Sequence, residues 1–508
     1  MPNCLSYMRL IFLTIFSLFL SLGAPQAVAA SEGVDEGQEL SISAETGTVA
    51  PASLISSGGE EAGDHHAIPG WLVIPFALLL ILIASGPLFF EHFWHKNYPF
   101  IAAALAAIVV GYYLLVMGNY HGPMHALEEY VPFISLLAAL YIASGGIAIN
   151  IDRRATPMTN IMLLAVGAVI ANLIGTTGAS MLLIRPFIRL NKTRIKAYHV
   201  IFFIFVVSNI GGSLTPIGDP PLFLGFLRGV PFFWTLTHNF LPWVFANTIL
   251  LAVFYFVDKR NLSNEDIGMD ASDYSGKMEL VGKRNFIWLG VVIAAVFLDP
   301  NVFEWVPAIH FEGKSISFVK ELIWIAVAVL SFKTANKQAH KNNAFSFEPI
   351  REVAFIFIGI FGTMTPALEM VGEFAKSPEG IKLISHNTLY WGTGILSGFL
   401  DNAPTYVNFL TAALASQGGD INNLGNVQGF AAGEYGDSIL YLKAISVAAV
   451  FFGAMTYIGN GPNFMVKSIA EEIGIRMPSF FGYIIRFSLP ILVPILILVW
   501  LVFFVLLP

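Results

Sequence analysis

Two aspartates interrupt otherwise apolar, helix-length stretches of this sequence, and both are surrounded by glycine, asparagine and proline. Asp219 ends the run Ser-Asn-Ile-Gly-Gly-Ser-Leu-Thr-Pro-Ile-Gly-Asp at residues 208–219, and Asp401 lies in Gly-Phe-Leu-Asp-Asn-Ala-Pro at residues 398–404. Ionisable groups inside a membrane are costly and usually functional. A carboxylate there can hold either a proton or a cation, and competition between the two is the basis of antiport. Each aspartate could also cap the helix that follows, and a cap can still bind an ion.

Two further apolar stretches are interrupted without an acid, at Gly-Thr-Thr-Gly in residues 175–178 and Gly-Asn-Gly-Pro-Asn in residues 459–463. Unwinding a helix in lipid frees backbone N–H and C=O groups, so such breaks survive only against protein or water. The half-helix ends then favour anions at N-termini and cations at C-termini. Side-chain oxygens at the breaks suit a hard cation such as Na⁺. The predicted ion- and substrate-binding residues are Asp219, Asp401, Asn209, Ser208, Thr215, Thr176, Thr177, Asn402, Thr405, Asn460 and Asn463. The candidate Na⁺ ligands among them are Asp219, Asn209, Asp401 and Asn402.

The elements that must position these residues are membrane helices. Only 12% of the 508 residues are charged, against roughly 25% in a soluble domain. Apolar stretches of about 20 residues, enough to cross a bilayer, recur from Trp71 onward. The net charge of −7 decides little, because the acidic residues lie largely in polar loops and the N-terminal tail, and no basic face for nucleic acid remains. The single cysteine, Cys4, lies in the predicted leader, which excludes a disulfide framework or thiol chemistry in the mature chain. The sequence predicts an all-α polytopic protein in contact with membrane lipid, without a nucleic-acid partner.

The N-terminus has the composition of a secretory signal, with Arg9, an apolar run at residues 10–22 and Ala27-Val28-Ala29. We predict a signal peptide at residues 1–30 and a disordered periplasmic tail at residues 31–68, which is too polar to bury a core. An uncleaved signal anchor is the alternative. The positive-inside rule places Asp152-Arg153-Arg154 in the cytoplasm. We therefore expect a multi-pass protein of the bacterial cytoplasmic (inner) membrane.

Both halves of the chain repeat one order of three spans, a hairpin, a broken helix and a final span. The first repeat covers residues 69–257, a cytoplasmic linker residues 258–284, and the second repeat residues 285–508. Cationic flanks and short arms predict that residues 160–190 form a re-entrant hairpin from the cytoplasm. The flanks of residues 389–414 hold few Lys or Arg, which predicts a hairpin from the periplasm. Five crossings per half is an odd number, so the repeats are inverted, with about ten spans in total.

The runs at residues 208–221 and Leu-Asp-Asn-Ala-Pro-Thr at residues 400–405 resemble signature loops of the ion-transporter superfamily. That superfamily includes D-type sodium/proton antiporters, citrate–metal and dicarboxylate transporters and arsenite efflux proteins. The resemblance covers nearly everything after Trp71. It implies a homodimer of elevator type, in which a scaffold holds a mobile transport domain containing the hairpins and broken helices. It also implies two ion-binding clamshells, one formed by Asn209, Thr215, Asp219 and the first hairpin tip, the other by Asp401, Asn402, Thr405 and Asn460.

Two functions remain open within this resemblance. Carboxylate transporters of the superfamily typically carry paired Ser-Asn-Thr triplets, and here Ser208-Asn209-Ile210 lacks the threonine. This departure favours Na⁺ or Li⁺/H⁺ antiport, in which Asp219 and Asp401 exchange a proton for the cation without any cofactor. The sequence Pro-Pro-Leu-Phe at residues 220–223 and Gly-Val-Pro at residues 229–231 instead resembles a citrate-transport subgroup, so a cation-coupled citrate or dicarboxylate transporter is the alternative. Intramembrane aspartyl hydrolysis is disfavoured because the Gly-x-Gly-Asp pattern lacks its first glycine, and we predict no enzyme.

Overall fold

A computed structural model of the chain describes residues 68–151, 155–262, 278–300, 303, 305–311 and 314–507. The predicted signal peptide, all but the last residue of the predicted tail, and Asp152-Arg153-Arg154 lie outside the described residues. All the helices below belong to the compact unit Leu72–Pro508.

The described residues are mainly helical, as expected from their apolar composition. The helices of the first half are α1 (Ile74–Phe89), α2 (Glu91–Leu115), α3 (His121–Gly145), α4 (Pro157–Leu190), α5 (Ala197–Val206), α6 (Pro220–Arg228) and α7 (Trp234–Arg260). Those of the second half are α8 (Asn285–Val296), α9 (Val319–Thr334), α10 (Lys337–Asn343), α11 (Glu348–Lys376), α12 (Pro378–Leu383), α13 (His386–Phe399), α14 (Asn402–Ser416), α15 (Leu424–Ala432), α16 (Ser438–Phe452), α17 (Gly461–Glu472) and α18 (Phe480–Leu506).

Four short strands lie among the described residues. Strand β1 (Ala148–Ile151) pairs antiparallel with β2 (Met278–Val281), and β3 (Ile309–Phe311) pairs antiparallel with β4 (Lys314–Ile316). Strand β2 lies in the predicted linker, which is therefore not wholly irregular. The fold is otherwise the all-α polytopic one predicted.

Eight helices among the described residues are long and apolar enough to cross a membrane. They are Gly70–Pro87, which joins a short turn to α1, then α2, α3, α4, α7 and α11, then Ser438–Met455, which joins α16 to a short turn, and α18. The set differs from the predicted ten or so in two ways. Three predicted spans are too short, namely α8 with 12 residues, α9 with 16 and the broken pair α5 and α6 with 10 and 9, whereas α4 is included although it was predicted to be a hairpin. A hydrocarbon core takes about 20 helical residues to cross. The chain is thus a multi-pass membrane protein.

The helix α4 is a hairpin rather than one straight rod. Its dihedral angles break at Gly175, where φ is 79° and ψ is 154°, a conformation that glycine adopts without steric cost. The side chains of Asn160 and Asn191 exchange two hydrogen bonds of 2.8 Å. A straight helix would hold residues 31 positions apart at a distance of about 46 Å. The two arms therefore fold back on each other at Gly175.

The helices α13 and α14 form a second hairpin. Leu400 and Asp401 between them have extended dihedral angles, which ends one arm and begins the next. A Cβ added at Gly392 would lie 3.0 Å from the Phe409 ring, so the two arms pack closely. Ser385 caps the first arm by accepting a hydrogen bond from the Thr388 N–H at 3.2 Å.

Two pairs of short helices form the broken helices. The helices α5 and α6 are separated by residues 207–219, and α16 and α17 by residues 453–460. Both α6 and α17 carry a proline in the first turn, where its missing N–H costs nothing. The hairpins and broken helices interleave, because α4 packs on α17 and α14 packs on α6. Each hairpin thus contacts the broken helix of the other half of the chain.

The first residues of the predicted linker belong to the C-terminal end of α7. Asp258, expected in the linker, lies in the last turn of α7, which continues to Arg260. Its buried carboxylate forms an ion pair with Arg194, accepts a 2.6 Å hydrogen bond from the Tyr198 hydroxyl, and lies 3.0 Å from His199 Nε2. It also accepts a 3.0 Å hydrogen bond from Asn160 Nδ2 at the base of the first hairpin. These partners hold α7 helical beyond the predicted boundary at residue 257.

Candidate ion and substrate site

The carboxylate of Asp219 lies where the four interruptions meet, and the residue is 1% exposed. Its Oδ1 accepts hydrogen bonds from Thr176 Oγ1 at 2.8 Å and from Asn460 Nδ2 at 2.9 Å. Its Oδ2 accepts a hydrogen bond from Asn402 Nδ2 at 2.7 Å. Thr176 belongs to the first hairpin, Asn402 to the second hairpin and Asn460 to the second broken helix. One carboxylate therefore joins all four interruptions.

Each of these four residues lies at the N-terminal end of a helical segment. Asp219 and Asn460 are the N-cap residues of α6 and α17, and Asn402 is the first residue of α14. Thr176 directly follows the break in α4. The first turn of a helix has free N–H groups and carries a partial positive charge of about half an electron. Four such ends therefore lie around one carboxylate, whose three described hydrogen-bond donors are all uncharged.

The two acids differ in what they contact. Asp219 makes no side-chain cap on α6, so its carboxylate is available to the cluster. Asp401 caps α14, because its Oδ1 accepts a 3.0 Å hydrogen bond from the Ala403 N–H. The capping alternative therefore describes Asp401 and not Asp219.

Close backbone contacts between the first hairpin and the first broken helix fix the position of Thr176. The Thr176 N–H donates to the Gly218 carbonyl at 2.8 Å. A Cβ at Gly218 would overlap the carbonyl oxygen of Gly212, and a Cβ at Gly212 would crowd the Thr176 side chain. Glycine at both positions lets the two segments approach closely enough for Thr176 to reach Asp219.

A chain of asparagine amides links the two broken helices. Asn209 Nδ2 donates to Asn463 Oδ1 at 2.7 Å, and Asn460 Nδ2 lies 3.2 Å from Asn209 Oδ1. Asn463 Nδ2 in turn donates to the carbonyls of Gly453 and Thr456 at 2.8 and 2.9 Å. These amides satisfy buried polar groups of unwound backbone, which would otherwise be costly in the membrane.

Three other predicted site residues form hydrogen bonds with backbone carbonyls or a neighbouring side chain and not with Asp219. The Ser208 hydroxyl lies 2.7 Å from the Ser180 hydroxyl of the first hairpin. Thr215 Oγ1 donates to the Asn172 carbonyl at 2.6 Å, and Thr405 Oγ1 donates to the Asp401 carbonyl at 2.9 Å. Their described contacts stabilise the interruptions around the cluster.

Asn172 is a residue of the site that the sequence analysis did not identify. Its Nδ2 donates to the Gly211 carbonyl at 2.6 Å, and its Oδ1 accepts from the Leu214 N–H at 2.8 Å. It thus joins the first arm of α4 to the unwound part of the first broken helix. The sequence feature that could have identified Asn172 is a polar amide on an apolar arm, three residues before Gly175.

A largely apolar cavity lies beside the tip of the first hairpin. Its site-side wall is formed by Thr176, Thr177, Gly178, Gly218 and Pro220. Leu137, Leu140 and Tyr141 of α3 and Pro349, Ile350 and Val353 of α11 also line the cavity. Of the predicted site residues, Thr176 and Thr177 therefore line open space next to the Asp219 cluster.

A comparison with protein-family models matches residues 65–504 to the family described as Putative citrate transport. The chain belongs to this family. A comparison with curated proteins gives no match. The family is defined by transport rather than catalysis, and it agrees with the citrate-transport subgroup that the sequence resembles. The resemblance to D-type sodium/proton antiporters gains no support from it.

The unpaired side-chain oxygen of Asn402 is a candidate cation ligand in this member of the citrate-transport family. Asn402 Oδ1 is buried and has no hydrogen-bond partner among the described residues, although Nδ2 of the same amide contacts Asp219. An unpaired buried polar atom costs about 1–3 kcal/mol. Amide and carboxylate oxygens are the ligands that hard cations prefer. Asp219 and Asn402 thus supply oxygens of the type that suits a hard cation, and Gly218 and Pro220, on either side of Asp219, line the neighbouring cavity.

Proposed function

We propose that this protein is a secondary active transporter that moves citrate or a related carboxylate together with a cation, and that Asp219 holds the cation or proton. Membership in the citrate-transport family supports the substrate class. The observation that carries the site is the convergence of Thr176, Asn402 and Asn460 on the Asp219 carboxylate. Substrate and cation would then meet at one place.

Electrostatic repulsion would couple the binding of substrate to the binding of the cation or proton. A carboxylate substrate at the hairpin tips approaches the carboxylate of Asp219, and two unit charges 4 Å apart interact by about 4 kcal/mol at an effective dielectric constant of 20. A proton or Na⁺ on Asp219 removes this repulsion. Substrate therefore binds best when the cation is bound, which is the condition for symport.

The anion itself would bind at the N-terminal helix ends. Thr176 and Thr177 begin the second arm of α4 and line the cavity. The Thr176 hydroxyl and N–H already donate to Asp219 and Gly218, so the Thr177 hydroxyl, at the positive end of this arm, is the group that can donate to a substrate carboxylate. Asn402 is at the start of α14. We propose that Asp219, Asn402, Asn209 and Asp401 contribute to the cation site and that Thr177 contacts substrate.

The first prediction, Na⁺ or Li⁺/H⁺ antiport with Asp219 and Asp401 exchanging ions, is less well supported than its alternative. The family match favours citrate transport. The described hydrogen bond of Asp401 is a helix cap, which gives that residue a role in shaping the hairpin tip.

We also propose the inverted repeats, the elevator movement and the homodimer as the architecture of this transporter in a bacterial inner membrane. The interleaved packing of α4 on α17 and of α14 on α6 supports one body that contains all four interruptions. A body of this kind can move as a unit and carry the Asp219 cluster with it.

The test is uptake of labelled citrate into proteoliposomes that contain the purified full chain, with an imposed Na⁺ or proton gradient. We expect saturable uptake that depends on one of these gradients and is lost in Asp219→Asn. The exposed Asp437, which makes no side-chain cap, provides the control Asp437→Asn, which should keep uptake unchanged. Na⁺-dependent proton movement in the same vesicles with no citrate uptake would overturn the proposal in favour of antiport.

A further inference from the structure

A second cavity lies away from the Asp219 cluster, between the end of the first hairpin and the turn that follows α17. It is lined by four basic side chains, Arg189, Lys192, Lys196 and Arg476, and its described lining contains no carboxylate. Apolar side chains complete the walls, notably Ile188, Ile195, Ile473 and Ile475. We refer to this cavity, defined by these eight residues, as the basic groove.

None of the four basic side chains has a carboxylate partner among the described residues, although Arg189 has neutral hydrogen-bond partners. The Arg189 guanidinium donates to the Asn342 carbonyl at 2.7 Å and to Asn150 Oδ1 at 3.2 Å. The exposed side chains of Lys192, Lys196 and Arg476 form no ion pair in the part of the chain that the structure describes.

The nearest acids do not neutralise the groove. Glu472 lies 3.9 Å from Arg185, and Glu471 accepts a 2.8 Å hydrogen bond from Lys467. Both carboxylates thus have basic partners outside the groove lining. The groove keeps a local excess of positive charge.

Backbone geometry places the basic residues around one opening. Gly474 has a φ of +93°, a left-handed conformation that ends α17 and suits glycine. Its N–H donates to the Glu471 carbonyl at 2.9 Å, and the Ile475 N–H donates to the Ala470 carbonyl at 3.0 Å. This turn brings Arg476 to the cavity wall, opposite the N-terminal end of α5, where Lys196 is the N-cap. A helix N-terminus adds to the attraction for an anion.

We propose that the basic groove binds the phosphate head group of an anionic phospholipid. The isoleucine side chains give an acyl chain an apolar wall next to the charges, and Ile473 is 51% exposed. A free phosphate ion would use the lysines and Arg476 but not the isoleucines. Basic pockets between membrane helices on the cytoplasmic side, where the charge pattern of this chain places these residues, bind such head groups.

The groove is independent of citrate transport as a binding site, because none of its residues belongs to the Asp219 cluster. It nevertheless contacts the first hairpin through Arg189 and Lys192 at the end of the second arm. A lipid bound there would therefore tie that arm to the membrane surface.

The test is a titration of the purified full chain in neutral detergent with phosphatidylglycerol, with phosphatidylcholine or with inorganic phosphate, followed by the thermal unfolding midpoint. The variant Lys192→Gln/Lys196→Gln/Arg476→Gln is compared with a control that neutralises three exposed lysines elsewhere, Lys333→Gln/Lys376→Gln/Lys382→Gln. Each basic residue near an anionic lipid surface changes affinity by about fivefold, so the triple variant should need on the order of 100-fold more phosphatidylglycerol. Wild type and control should respond alike.

Equal titrations of the triple variant and the control would overturn the proposal. Stabilisation by inorganic phosphate at the same low concentration as by phosphatidylglycerol would also overturn it, in favour of a soluble anion. If the triple variant does not fold, native mass spectrometry of Arg476→Gln and Lys376→Gln replaces the titration. Retention of phosphatidylglycerol should then fall only in Arg476→Gln, and equal retention would contradict the proposal.

Discussion

Asn402 Nδ2 donates a 2.7 Å hydrogen bond to Asp219 Oδ2, although the two residues are 183 positions apart in the chain. The bond connects the tip of the second hairpin to the first broken helix. Any separation of these two elements must break a hydrogen bond to a buried carboxylate, which is worth about 1.5–3 kcal/mol. Neutralising Asp219 with a proton, or giving it a cation as a partner, weakens this bond. The geometry thus links occupancy of one carboxylate to the position of a hairpin.

Replacing Asn402 by alanine tests this link. Asn402→Ala removes both the donor to Asp219 and the free Oδ1, so the cation concentration for half-maximal citrate uptake should rise at least about tenfold. The control is Asn408→Ala, in the same helix, whose amide donates to the Pro404 carbonyl and has no other hydrogen bond among the described residues. Cation dependence of uptake in proteoliposomes is the measurement, and an equal effect of the two variants would contradict the assignment.

Two substitutions of Thr176 separate the effect of its hydroxyl from the effect of its methyl group. Thr176→Val keeps the shape but loses the hydroxyl that donates to Asp219 Oδ1 at 2.8 Å, whereas Thr176→Ser keeps the donor. We expect valine to lower citrate uptake at subsaturating cation about tenfold and serine to restore most of it. If serine and valine are equally impaired, the methyl group rather than the hydrogen bond is what matters.

The close approach at Gly218 predicts a stability effect. Gly218→Ala places a Cβ against the carbonyl oxygen of Gly212, and overpacking of this kind costs about 1–3 kcal/mol. Gly111 in α2 has open space around its added Cβ, so Gly111→Ala should be neutral or slightly stabilising. The thermal unfolding midpoint in detergent should fall for the first variant only. A Gly218→Ala protein as stable as wild type would show that the backbone can move apart.

Substitution of the buried Asp258 should lower the stability of the protein more than Gly218→Ala does. Asp258→Asn leaves Arg194 buried without its counter-ion, and breaking a buried ion pair costs about 3–5 kcal/mol. The double variant Asp258→Asn/Arg194→Gln removes the unpaired charge and should recover part of that loss. Unfolding midpoints of the two single variants and the double variant give the coupling. Strict additivity would mean that the pair does not interact.

The sequence was sufficient to locate the interruptions, because glycine, asparagine and proline are rare together in an apolar helix. Thr176, Asp219, Asn402 and Asn460 were all among the predicted site residues on this ground. Their convergence on one carboxylate was not predicted, since the sequence suggested two clamshells with one acid each. Which donors reach Asp219 depends on packing between segments up to 241 residues apart, and local composition carries no such information.

Two local features, the burial of Asp258 and strand β1, were missed in the sequence analysis because both depend on partners that are distant in the chain. Asp258 was expected in a loop because acidic and basic residues follow one another there, but its partners Arg194 and His199 are about 60 residues away in sequence and make burial possible. Strand β1 was not predicted because Ala-Ile-Asn-Ile is as apolar as the preceding helix, and only the pairing with β2 distinguishes it.

The interleaving of hairpins and broken helices has a consequence for biosynthesis. When the ribosome has completed the first half of the chain, Asp219 can bond Thr176, but Asn402 and Asn460 have not yet been made. A buried acid with one partner is costly in lipid, so the first broken helix cannot settle at its final depth at that stage. Insertion of this protein is therefore completed only after residue 460 leaves the ribosome, and the two halves of the chain mature together.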